Sequence, residues 1–160
     1  MIEDVTGVRY IHYGGKHFNK DVFKPAYCRA LGGIPKPKGG LWASRVDAEN
    51  GWRDWCKSED FRHYEDDDCF IFTIHSDRVY VIRSAEDGEL FRNKYSLGTV
   101  TSSWLPFDQL DWNRISEDYD AVELVISDDS QLYWDFYGWD CDSIVIFKPD
   151  IVMEEVKVNV

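Results

Sequence analysis

Residues 143–147 (SIVIF) form a short, β-branched apolar run, the pattern of a strand buried on both faces. Residues 69–75 (CFIFTIH) and 78–83 (RVYVIR) are strand-like too, and the polar pair Ser76-Asp77 between them suits a hairpin or a bend. Residues 121–126 (AVELVI) predict another strand, and residues 131–136 a weaker one. Near the start, residues 7–13 (GVRYIHY) predict a first strand that ends at Gly14-Gly15. Residues 41–44 (LWAS), opened by Gly39-Gly40, predict a very short strand. Helical spacing appears in residues 47–57 (DAENGWRDWCK), where Trp52, Trp55 and Cys56 recur on one side and Ser44 or Asp47 can cap the start. Gly51 weakens that helix. Residues 27–31 read as a short helical piece, 32–37 as loop and 65–68 as an acidic turn. Residues 86–96 are ambiguous, and 108–119 are helix or loop. Strands outnumber helices, and the helices fall mainly in the first half and the middle, which is an α+β pattern. No internal repeat, low-complexity segment or domain boundary interrupts it, so residues 1–160 are expected to form one domain.

Composition adds two points. Hydrophobic residues make up 44% of the chain, enough for a sizeable core, and the seven Trp, nine Tyr and nine Phe are a heavy aromatic load. Aromatics fill cores, and they also wall sites for planar ligands. The formal charge of −12 argues against a surface dedicated to duplex nucleic acid, where phosphate neutralisation supplies most of the affinity. Lys16, Lys20, Lys24, Lys36 and Lys38 cluster in the first quarter and read as a solvated loop. Cys28, Cys56, Cys69 and Cys141 are spread singly with no zinc-type spacing, so no metal site is expected and reduced thiols are the simplest account. The first residues (MIEDVTGVRY) lack the pattern of a secretory signal, and no apolar run reaches membrane length. A cytoplasmic protein is expected, of bacterial or phage type.

Three stretches carry candidate chemistry. In residues 11–15 (IHYGG), His12 sits at a strand end beside backbone that a ligand can approach. In residues 39–44 (GGLWAS), a tight turn precedes Trp42, whose face suits a planar ring. In residues 139–143 (WDCDS), Asp140 and Asp142 lie two apart, which on an extended backbone aims both carboxylates the same way. Such a pair repels, and burial raises the pKa of one member. Each stretch also has a plain reading: a half-buried histidine before a turn, a core tryptophan, two solvated aspartates.

Taken in order, the three stretches resemble the nicotinamide-pocket signature of the ADP-ribosyltransferase superfamily, which includes the poly(ADP-ribose) polymerases. Residues 11–15 are similar to its His-Gly-Thr strand, with Tyr13 between His12 and Gly14. Residues 40–44 are similar to its Gly-x-Tyr-Phe-Ala/Ser element, with Trp42 in the Tyr place. Residues 142–151 (DSIVIFKPDI) are similar to its late Glu-Tyr-Ile/Val-Val strand, with Asp142 in the Glu place, and Asp140-Cys141-Asp142 resembles the Glu-x-Glu of members that modify arginine. The resemblance implies an ADP-ribosyltransferase-like α+β fold of two packed, antiparallel-rich sheets with a few short helices. It implies a pocket for NAD, the substrate, built from His12, Tyr13, Gly14, Trp42 and Ser44. His12 would bond a ribose hydroxyl, the Gly14 backbone would meet the carboxamide, and Trp42 would stack on the nicotinamide. Asp142 would hold the ribose 2′-hydroxyl and stabilise the oxocarbenium-like transition state, and Asp140 would orient the acceptor. The implied activity is transfer of ADP-ribose from NAD, with nicotinamide release, to a protein, a nucleic acid or a small molecule. The alternative is an inactive module of the same fold that binds NAD, ADP-ribose or a protein partner.

Overall fold

A computed structural model describes residues 1–27, 35–100 and 107–156. Within them the chain forms strands β1 (Tyr10–Tyr13), β2 (Leu41–Arg45), β3 (Cys69–Ile74), β4 (Val79–Ile82), β5 (Ser96–Val100), β6 (Phe107–Leu110), β7 (Ala121–Leu124), β8 (Ser143–Ile146) and β9 (Val152–Glu154). The helices are α1 (Trp52–Ser58), α2 (Ala85–Tyr95), α3 (Trp112–Asp118) and α4 (Gln131–Asp135). The α+β expectation stands. One seven-stranded sheet has the order β4-β7-β8-β2-β1-β3-β9, and β5 pairs with β6 in a separate ribbon. Only the β4–β7 pair in the large sheet is parallel. The two antiparallel-rich sheets expected are joined into one order through β2, whose first half pairs with β8 and whose second half pairs with β1.

Alternation along the strands feeds a core on each face. Val145 of β8 and Val122 and Leu124 of β7 face the helices, against Phe91, Tyr95, Trp112 and Leu132. Ile144, Ile146, Ala121, Leu41 and Ala43 face the other way, with Tyr10, Phe70 and Phe72. This double burial explains why residues 143–147 read so clearly as a strand: Ser143 to Phe147 are all buried.

Several expectations are corrected. Residues 131–136 are not a strand but helix α4, because Leu132 and Phe136, four residues apart, bury together against α2. They meet α2 at Gly88, where an added Cβ would lie 3.0 Å from both side chains. Strands β3 and β4 do not form a hairpin. Strand β3 is paired on both edges, by β1 and β9, while β4 lies parallel to β7 and takes backbone bonds from Met1 and Glu3 on its far side. Helix α1 starts at Trp52 rather than near Asp47, with Gly51 as its N-cap. The helical piece expected at 27–31 lies mostly outside the described residues, as does Cys28. Among the described residues no helix is long and apolar enough to cross a membrane.

Candidate functional site

The strand order sets the three candidate stretches side by side, because β8, β2 and β1 are consecutive neighbours. Strands β1 and β2 pair only at Tyr10–Arg45 and Ile11–Ser44. Past that point the His12 side chain reaches in: its Nδ1 donates to the Trp42 carbonyl at 2.6 Å. Burial holds the imidazole pKa below its ordinary value, with the carbonyl bond opposing, so near neutral pH the ring is uncharged. With Nδ1 as donor, Nε2 is the acceptor nitrogen.

Gly39 and Gly40 fix where β2 begins. Both have positive φ, +77° and +72°, and a Cβ on Gly40 would come 2.7 Å from Val145 Cγ2. This close approach seats Trp42 opposite Val145 and brings its indole edge-on to Trp139, with centroids 4.9 Å apart. Trp42 Nε1 donates to the Gly39 carbonyl and Trp139 Nε1 to the Pro35 carbonyl, so both polar handles are satisfied.

Helix α1 lies across the same face. Ser44 Oγ accepts from the Trp52 amide at 3.0 Å and donates to the Asp142 carbonyl at 2.8 Å, which ties the helix start to β2 and to the approach to β8. Trp52 and Trp55, one turn apart, stack at 5.3 Å and 15°, and Phe61 packs edge-on to both. Tyr64 accepts from Trp52 Nε1. Together these rings and the face of β1 and β2 enclose a cleft of about 520 Å³, whose charged members are Lys36, Arg62 and Asp140. Its size and apolar walls suit a drug-sized planar ligand.

The predicted site residues divide. Trp42, Tyr13, His12 and Asp140 line the cleft, together with Ser143 and Cys141. Asp140 has φ +67°, a left-handed conformation that Asp tolerates better than most residues, and this turns its carboxylate into the cleft. Burial raises its pKa, and Lys36 opposes the shift. Asp142 goes elsewhere: its carboxylate accepts from the Ser127 amide at 2.9 Å and from the Ser127 hydroxyl, and it does not line the cleft. The expectation that the two aspartates share a face is corrected, because the positive φ at Asp140 breaks the alternation. The Ser44 hydroxyl is taken up by the two internal bonds given above. The Gly14 amide is used as well, donating to the Asp68 carbonyl at 3.0 Å, which leaves it unavailable to a carboxamide. Gly14 lines a second cavity of about 310 Å³ on the opposite face, with Phe70, Gly40 and His12, and His12 borders both cavities.

The sequence reading missed Trp52, Trp55, Phe61, Tyr64, Trp139, Lys36 and Arg62 as cleft residues. The signal that points to Trp52, Trp55, Phe61 and Tyr64 is the density of aromatics in residues 52–64; nothing local points to Lys36 or Trp139. Cys141, which lines the cleft, has its thiol pushed up to about 12 by burial, so the thiol form prevails near neutral pH. Among the described residues no group of His, Cys, Asp and Glu is arranged to hold a metal ion. No protein-family model, no curated protein and no solved structure matches this chain.

Proposed function

We propose that the cleft holds a planar heteroaromatic ligand of the nicotinamide-nucleotide class, and that the chain is an NAD- or ADP-ribose-binding domain. The observation that carries this reading is the aromatic-walled cleft beside the junction of β1, β2 and β8. There Trp42 and Trp52 offer ring faces, and Arg62 offers charge to a pyrophosphate. Calorimetry with NAD, ADP-ribose and nicotinamide tests it. Saturable binding to the wild type, weakened at least about tenfold by Trp52→Leu in a folded variant, is the expected result. Absence of binding by all three ligands overturns it.

The Asp140 carboxylate in the cleft favours a second reading, transfer of ADP-ribose to an acceptor. The nicotinamide nitrogen would leave with the glycosidic electron pair, the acceptor nucleophile would bond to the ribose carbon, and its proton would pass to solvent. In this arrangement Asp140, not Asp142, is the group that stabilises positive charge on the ribose. Nicotinamide release that Asp140→Asn abolishes and Asp142→Asn leaves intact is the expected outcome. No release with protein, nucleic-acid or small-molecule acceptors leaves the binding domain as the function.

A further inference from the structure

The cleft already contains a cation. Lys36 Nζ stands 4.8 Å from the centroid of Trp42 and 6.0 Å from that of Trp52, within the range in which an ammonium is attracted to a ring face. Its backbone is anchored: Pro35 and Pro37 on either side are buried, and the Pro35 carbonyl accepts from Trp139 Nε1 at 3.0 Å. The side chain, four methylenes long, is the movable part. Asp140 lines the same cleft, so a carboxylate joins the two indole faces on its walls. That is the arrangement by which proteins bind quaternary nitrogen. The net charge of −12 adds a field that draws cations toward the molecule.

We propose that the cleft is a cation-binding cage whose resident occupant is Lys36, and whose ligand carries a permanent positive charge on a ring or quaternary nitrogen and enters by displacing the Lys36 ammonium. The inference deepens the nucleotide reading, because an oxidised nicotinamide is such a cation and its reduced form is not. It also stands on its own geometry, since any flat or compact cation meets the same walls.

Binding is measured by calorimetry on wild type and on Lys36→Met, which keeps most of the side-chain length and removes its charge. The probes are 1-methylnicotinamide and choline, against their neutral counterparts nicotinamide and 3,3-dimethylbutanol. At least one charged probe is expected to bind about tenfold or more tighter than its counterpart, and Lys36→Met to tighten it further by about tenfold. Lys36→Arg, which returns a cation to the rings, is expected to bind as the wild type does. Preference for 1-methylnicotinamide assigns a pyridinium ligand, and preference for choline a quaternary ammonium. Equal binding of charged and neutral partners, no gain in Lys36→Met, or no binding of either charged probe to both proteins overturns the proposal. The two readings fail separately. If NAD and NADH bind equally well and Lys36→Met has no effect, the cage fails and the nucleotide site stands. If a charged probe binds and NAD does not, the cage stands alone.

Discussion

Replacing Asp142 with alanine removes a buried carboxylate that accepts from both the amide and the hydroxyl of Ser127. Asp142 is only 6% exposed, so water does not readily replace the lost acceptor. Hydrogen bonds to a charged group contribute about 1.5–3 kcal/mol each, and two on one residue are not fully additive, so Asp142→Ala is expected to cost about 3 kcal/mol. For a chain of this size the melting temperature falls by about 2–4 °C per kcal/mol, or about 6–12 °C in all. Asp142→Asn is a milder change. Its carbonyl oxygen accepts from the Ser127 amide while its NH2 donates to the hydroxyl, which can rotate to accept, so the expected cost is about 1 kcal/mol. Urea unfolding followed by tryptophan fluorescence reads both values. Ligand affinity of the folded variants, measured with 1-methylnicotinamide and NAD, is expected to stay within about twofold of the wild type, because a substitution outside the cleft removes no ligand contact. Asp140→Asn is the mirror experiment. Burial works against its charged form, so neutralising it is expected to leave stability unchanged or raised at neutral pH while weakening cation binding. If Asp142→Ala proves as stable as the wild type yet loses ligand binding, its carboxylate serves the ligand rather than Ser127, and this reasoning fails.

Gly40→Ala places a methyl 2.7 Å from Val145 Cγ2 and 3.0 Å from the Ile146 carbonyl at a φ of +72°, and is expected to cost about 2–4 kcal/mol in urea unfolding. Glu123 is 3% exposed and accepts from Arg45 at 2.6 and 3.0 Å and from Tyr10 at 3.0 Å. Glu123→Ala leaves a partly buried guanidinium with only the longer contact to Glu3, 3.9 Å, and is expected to cost about 3 kcal/mol, much of it recovered in Glu123→Leu/Arg45→Leu. For His12 the folded-state pKa lies below the ordinary 6.5, so the unfolded chain takes up the proton first. That contribution to stability is complete above pH 6.5 and is lost as pH falls from there toward the folded-state pKa. His12→Gln is therefore expected to lose less stability than the wild type between about pH 7.5 and 5.5, the carboxylates common to both proteins cancelling in the comparison of urea midpoints.

Residues 143–147 were legible because every position is buried, which leaves an apolar run that no helix of such length would need. Residues 131–136 (QLYWDF) were misread for the opposite reason. Their aromatics suit a strand locally, and the helix is decided by the pocket over Gly88 that accepts Leu132 and Phe136, a partner some 45 residues away in sequence. The link between β3 and β4 was left open between a hairpin and a bend because the two polar residues Ser76 and Asp77 serve a turn of either kind, and it is not a hairpin. What separates the strands is pairing to β9 and β7, which lie farther along the chain. Strand β9, three residues long, carries too short a pattern to register at all.

The site was half legible, and the dividing line is physical. Alternation is a rule about extended backbone; Trp42, set by the glycine turn before it on a regular strand paired with β8, meets the cleft as expected. The same rule failed at Asp140, where a single positive φ, following Gly138 at +98°, turns the side chain out of register. It is this departure that separates two aspartates of equal chemistry: one closes a turn at Ser127 and the other meets the cleft. The cage is harder still to read, because its walls come from residues 42 and 52 and its cation from residue 36, held by a bond to Trp139. No local pattern links those four positions. They meet because strand β8 lies beside β2, so Trp139, just ahead of β8, can fix the backbone of Pro35 while Trp42 receives the neighbouring lysine. A cluster assembled this way can be counted in the composition, as an excess of tryptophan, before it can be placed.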